Sequence, residues 1–82
     1  MLTKTTELAI RALTWLAMQE RTEYHPPREI AMRMGCSPSY LAKVMGGLVK
    51  AGILRSHRGP SGGTALALAP EEIDLLRVVE CC

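Results

Sequence analysis

The sequence predicts a mainly α-helical domain closed by one small β-hairpin. Three observations carry that expectation. Apolar residues recur at helical spacing in three segments before residue 52. Proline, glycine or a capping hydroxyl bounds these segments. After Gly52 the pattern changes to short apolar runs on either side of "RGPSGG", which is how two strands and a tight tip read.

Residues Thr3 to Gln19 read as the first helix, with Leu8, Ala12, Trp15, Leu16 and Gln19 on one side. Ile10, Leu13 and Ala17 make the other side apolar too, leaving Glu7, Arg11 and Thr14 as a narrow polar stripe. A helix apolar on two sides must bury two sides, so the second is expected to meet a partner subunit. His25-Pro26-Pro27 breaks the chain and opens a short second helix with proline in its first turn. Ile30, Ala31 and Met34 form its apolar face, and Gly35 ends it.

Ser37-Pro38 supplies an N-cap and a first helical residue for the third helix. That helix runs to about Ala51 over a core face of Leu41, Val44, Met45 and Leu48, with Gly52 just past its end. Ile53 to His57 reads as a strand. Thr64 to Leu68 reads as its return partner, with Thr and Leu on one face and alanines on the other. Pro70 to Asp74 is a turn, and Asp74 caps a last helix over 75–82.

Composition narrows the function. At 82 residues and 48% apolar content the chain is one folded domain with a modest core. No apolar run is long enough to span a membrane, and the N-terminus lacks a secretory layout. Three cysteines in no paired pattern point to a reducing compartment, hence the cytoplasm. The net charge is only +2, but no Asp or Glu occurs between Ile30 and Pro70. Arg33, Lys43, Lys50, Arg55 and Arg58 all fall in that window, a distribution suited to a polyanion.

Ala31, Gly35, Leu41 and Val44 stand at relative positions 1, 5, 11 and 14. This is the spacing of a helix-turn-helix: a small residue where the helices cross, glycine in the turn, two apolar anchors on the second helix. Cys36 falls where such units bury a small apolar residue. Opposite the core face lie Ser39, Lys43, Gly46 and Lys50, a stripe that is basic or small. The N-terminal half of such a helix enters a major groove, so Ser37, Ser39, Ala42 and Lys43 are the candidates for base or phosphate contact. Tyr40 flanks them, placed for either a phosphate contact or packing at the domain edge. Gly46-Gly47 in mid-helix should cost about 1 kcal/mol each relative to alanine.

The glycine-rich stretch is not a nucleotide loop, because no lysine follows its second glycine and a strand rather than a helix comes next. After a helix-turn-helix it reads as a wing. Arg58 is placed for a minor groove, and the backbone N–H groups of Gly59, Ser61, Gly62 and Gly63 for the sugar–phosphate edge. The organisation is then a winged helix-turn-helix over 1–82, with the helix-turn-helix at about 27–51 and the wing at about 53–68.

The stretch "SPSYLAKVMGGLVKAGILRSHRGPSGGTALALAPEEIDLL", with "LTKTTELAIRAL" before it, resembles the Rrf-two family of bacterial regulators, which includes IscR-like and NsrR-like repressors. The resemblance implies a homodimeric transcription regulator on a two-fold operator, with Ser37, Ser39, Ala42 and Lys43 in the recognition role and Arg58 to Gly63 in the wing. Members usually carry an aromatic where this chain has Thr64, a departure expected to weaken packing of the wing. They also continue into a cysteine-bearing loop and a long dimerisation helix, both beyond the last residue here. Some members add an acidic ligand from the first helix of the other subunit, and Glu7 stands at that position. Read by itself, Glu7 forms an i, i+4 pair with Arg11.

Adjacent Cys81 and Cys82 chelate a single ion poorly, and no C-x-x-C or nearby His completes a site. No metal site is therefore expected in this chain, and an iron–sulfur cluster only in a longer form. No catalytic constellation is visible, so the chain does not read as an enzyme. The expectation is a DNA-binding transcription regulator on double-stranded DNA, a homodimer through the first helix that represses by occupancy. Two alternatives stand beside it: a full-length iron–sulfur sensor, and a winged-helix module that binds protein.

Overall fold

Helix α1 (Lys4–Ala17) starts where Thr3 caps it, the Thr3 hydroxyl accepting the Thr6 N–H at 3.1 Å. The structure is a computed structural model that describes residues 3–20, 23–59 and 62–81. Leu8, Ala9, Ala12, Leu13 and Leu16 of α1 are buried. The helix ends two residues before the expected Gln19. Met18 and Gln19 donate instead to Trp15 and Leu16, three residues back, which tightens and closes the last turn. No ion pair joins Glu7 to Arg11; the Arg11 guanidinium reaches across to the Met34 carbonyl at 3.4 Å.

Helix α2 (Pro27–Met34) has proline in its first turn and no side-chain cap. Gly35 ends it at φ +74°, a left-handed conformation that a Cβ would disfavour, and donates to the Ala31 carbonyl at 2.8 Å. Helix α3 (Pro38–Lys50) begins at Ser37, whose hydroxyl accepts the Tyr40 N–H at 3.2 Å. It closes in a Schellman motif: Gly52, at φ +79°, donates to Val49, and Ile53 donates to Leu48. Leu41, Val44, Met45 and Leu48 are all buried, as their spacing predicts.

Strands β1 (Leu54–His57) and β2 (Gly63–Leu66) pair antiparallel, with Leu54 opposite Leu66 and His57 opposite Gly63. Both are shorter than the expected 53–57 and 64–68, because the Schellman motif claims the Ile53 N–H. The Ile53 carbonyl still accepts the Ala67 N–H at 2.9 Å. The expected alternation along β2 also fails: Thr64, Ala65 and Leu66 are all buried. This strand is flanked on both edges, by β1 on one and by His25 on the other, where His25 and Thr64 exchange two backbone hydrogen bonds.

A single 3₁₀ turn (Pro70–Glu72) leads to helix α4 (Leu75–Cys81). Asp74 caps α4 through its carboxylate on the Leu76 N–H at 2.9 Å. Arg77 of α4 donates to the Ala51 carbonyl at 2.7 Å, placing a cation at the C-terminus of α3, where the helix dipole favours one. One core results, from α1, Ile30 and Ala31 of α2, the inner face of α3, Ile53, Leu54, Leu66 and Val78. Among the described residues no helix is long and apolar enough to cross a membrane.

Candidate nucleic-acid interface

The outward face of α3 is set by the same periodicity that fixes its core face. With Leu41, Val44, Met45 and Leu48 turned inward, Ser39, Ala42, Lys43, Gly46 and Lys50 are exposed, as are Ser37 and Tyr40. Neither Lys43 nor Lys50 makes a hydrogen bond or ion pair with any described residue. The Ser37 oxygen is engaged in capping, so it is its O–H that remains to donate. The Tyr40 hydroxyl meets the Thr5 hydroxyl at 2.6 Å. That bond joins the start of α3 to the start of α1, and the Tyr40 ring stays exposed.

Gly46 has nothing within 4 Å of where a Cβ would stand, so internal packing does not require it. A Cβ on Gly47 would lie 3.5 Å from the Cys81 carbonyl oxygen. That is ordinary contact, and it shows α4 resting against α3 at this point.

In the wing, Arg58 and Gly59 are exposed at the tip side of β1, and Arg58 has no partner among the described residues. Ser61 lies outside the described residues. Gly62 and Gly63 are half-buried, and their roles differ from the sequence-based expectation for Gly62. Its N–H donates to the Gly59 carbonyl at 3.0 Å, inside the hairpin, so it is not free for the sugar–phosphate edge. A Cβ there would strike the His57 carbonyl oxygen. At Gly63, φ is +147° and a Cβ would strike the His25 backbone. These two glycines answer the chain's own crowding.

Thr64 is buried, exchanges two backbone hydrogen bonds with His25 at 2.8 and 2.9 Å, and its hydroxyl donates to the His25 carbonyl at 3.1 Å. His25 in turn packs edge-on against Trp15 at 4.9 Å and meets the Glu29 carboxylate at 2.7 Å through Nδ1. The wing is thus tied to α1 and α2 through one residue. Nothing in the sequence pairs His25 with Thr64, because the contact joins residues 39 apart.

The basic window is not wholly uncompensated. The Arg33 guanidinium lies over the Trp15 ring at 5.7 Å, and that of Arg55 over Tyr24 at 5.6 Å. Lys43, Lys50 and Arg58 remain without such partners. Cys36 is half-buried against the core, as its position in the turn suggests, and Cys81 is half-buried at the end of α4. Cys82 lies outside the described residues. No three His, Cys, Asp or Glu side chains converge among the described residues.

A family model described as Rrf2, iron-dependent transcriptional regulator, matches residues 2–82. The chain belongs to the Rrf2 family. A regulator named NsrR from Halalkalibacterium halodurans is 35% identical over 79 residues, covering 96% of this chain and 54% of that protein. A regulator named IscR from Aliivibrio salmonicida is 37% identical over 78 residues, covering 95% of this chain and 46% of its own length. Both are helix-turn-helix transcriptional regulators by name. Among solved structures, IscR of T. potens superposes with a TM-score of 0.87 at 28% identity, over 99% of this chain and 59% of that one. CymR, the global cysteine regulator of B. subtilis, gives 0.88 at 26% identity, over 100% and 66%. These establish the winged-helix fold of Rrf2 regulators. The chain spans about half the length of the curated Rrf2 relatives it matches.

Proposed function

We propose that this Rrf2 domain is the DNA-reading part of a transcription repressor that acts as a homodimer in the cytoplasm. The observation that carries the reading is the exposed, acid-free face of α3 with the wing beside it. Lys43, Lys50 and Arg58 on these elements have no partners among the described residues, so their charge is available to phosphate. In this reading α3 enters the major groove and presents Ser39, Ala42 and Lys43 to base edges. Lys50 and Arg58 engage the backbone and the adjacent minor groove. Bound over a promoter, the dimer represses by excluding polymerase. No residue acts as a catalyst in this mechanism.

The outer side of α1 supports the dimer. Ile10, Leu13 and Ala17 line an open apolar groove of about 340 Å³ with Pro70, Ile73 and Leu75. Leu75 and Leu76 are exposed beside it. An iron–sulfur sensor would need ligands other than the described residues, and an absorbance spectrum of anaerobically purified longer protein tests for one.

The decisive experiment is selection of bound duplexes from fragmented genomic DNA at moderate salt. Enrichment of a two-fold symmetric site is the expected result. Enrichment of nothing, together with tight binding of an acidic protein, would replace this reading with a protein-interaction module.

A further inference from the structure

A groove of about 610 Å³ lies between the start of α2 and the base of the wing. Pro26, Pro27 and Arg28 line it from α2; Ser56, His57 and the Gly62–Gly63 turn line it from the hairpin. Among the described residues no acidic side chain contributes to it. The His25–Thr64 bridge fixes how far apart the two sides stand.

Arg28 is poorly placed for folding. It sits in the first turn of α2, where the helix dipole disfavours a cation. It is exposed, and no hydrogen bond or ion pair joins it to any described residue. Across the groove, Ser56 and His57 are exposed on β1. The His57 ring rests 5.3 Å from that of Tyr24, which the Arg55 guanidinium covers.

We infer that this groove holds a phosphate of the DNA backbone, with Arg28 as its cation and Ser56 and His57 as hydrogen-bond donors from the other side. It is an anchor additional to α3 and the wing tip, and it rests on the DNA-binding reading above. Charge complementarity favours a polyanion, and the open form of the groove suits a strand lying along it.

The test is the salt dependence of duplex binding, followed by fluorescence anisotropy on several labelled duplexes, for the wild type, Arg28→Ala and Arg28→Lys. Arg28→Ala is expected to weaken binding about tenfold at low salt, equally for every duplex. The slope of log affinity against log salt should fall in magnitude by about 0.9, one phosphate's share. Arg28→Lys should keep most of the slope. The melting temperature of Arg28→Ala should equal or exceed that of the wild type, since a cation leaves a helix N-terminus.

A steep wild-type slope that Arg28→Ala leaves unchanged would overturn the groove assignment while the DNA reading stands. A flat wild-type plot would remove both. A loss confined to one duplex sequence would make Arg28 a base reader and overturn the phosphate assignment. Amide shifts at Arg28 and Ser56 with inorganic phosphate, but none with duplex, would assign the groove to a free anion instead.

Discussion

Thr64 shows what one side chain does here that a larger one could not do in the same way. Its hydroxyl donates to the carbonyl that its own N–H also reaches, doubling the link between the wing and residue 25. Thr64→Val keeps the shape and removes the hydroxyl, so a loss of about 1 kcal/mol in denaturant unfolding is expected. Gly63→Ala should cost more than about 1 kcal/mol, because φ is +147° and the new Cβ meets the His25 backbone. Lys43 and Arg58 belong to the opposite class of residue. Neither has a partner among the described residues, so Lys43→Ala and Arg58→Ala should leave the melting temperature within a degree or two. Each should weaken duplex binding several-fold, as loss of a phosphate contact does. Unchanged affinity in both variants would remove the contact assignment.

At the level of elements, what could be read in advance was what neighbouring residues decide. Ser37 and Pro38 set the start of α3, Gly35 and Gly52 end two helices, and Asp74 opens α4, each through a bond or dihedral within a few residues. Ser37→Ala therefore has a local prediction: a loss of about 1 kcal/mol, with fraying of the first turn of α3 visible in amide exchange. The exposed stripe of α3 was equally legible, since burying Leu41, Val44 and Leu48 leaves Ser39, Lys43 and Lys50 outside. What escaped the sequence lies between elements far apart in the chain. The Tyr40–Thr5 bond spans 35 residues and the Arg77–Ala51 bond 26. The burial of all three of Thr64, Ala65 and Leu66 escaped for the same reason: an alternating pattern describes one covered face, whereas His25 also covers an edge. Gly62 was misread because a glycine that relieves the chain's own crowding looks, in sequence, the same as one that admits a ligand.

Taken whole, the molecule has two unlike surfaces. One is basic and formed by α3 and the wing; the other is the apolar groove of α1, the 3₁₀ turn and α4. If the second surface joins two copies, Leu75→Glu should reduce self-association without unfolding the chain, because Leu75 is 59% exposed. Sedimentation over a concentration series checks this, and a wild type that stays monomeric throughout would remove the dimer from this face. The bridge from His25 to Thr64 has a consequence for the other surface. With the core that α3 shares with Ile53, Leu54 and Leu66, it holds the hairpin at a set distance from α3; if α3 and the wing both meet DNA, that distance is a built-in ruler. On that reading, a target's outer bases and its flank lie a constant step apart, whatever their sequence. Two such domains would share the step but not necessarily the letters, so operators could diverge in sequence while keeping their spacing.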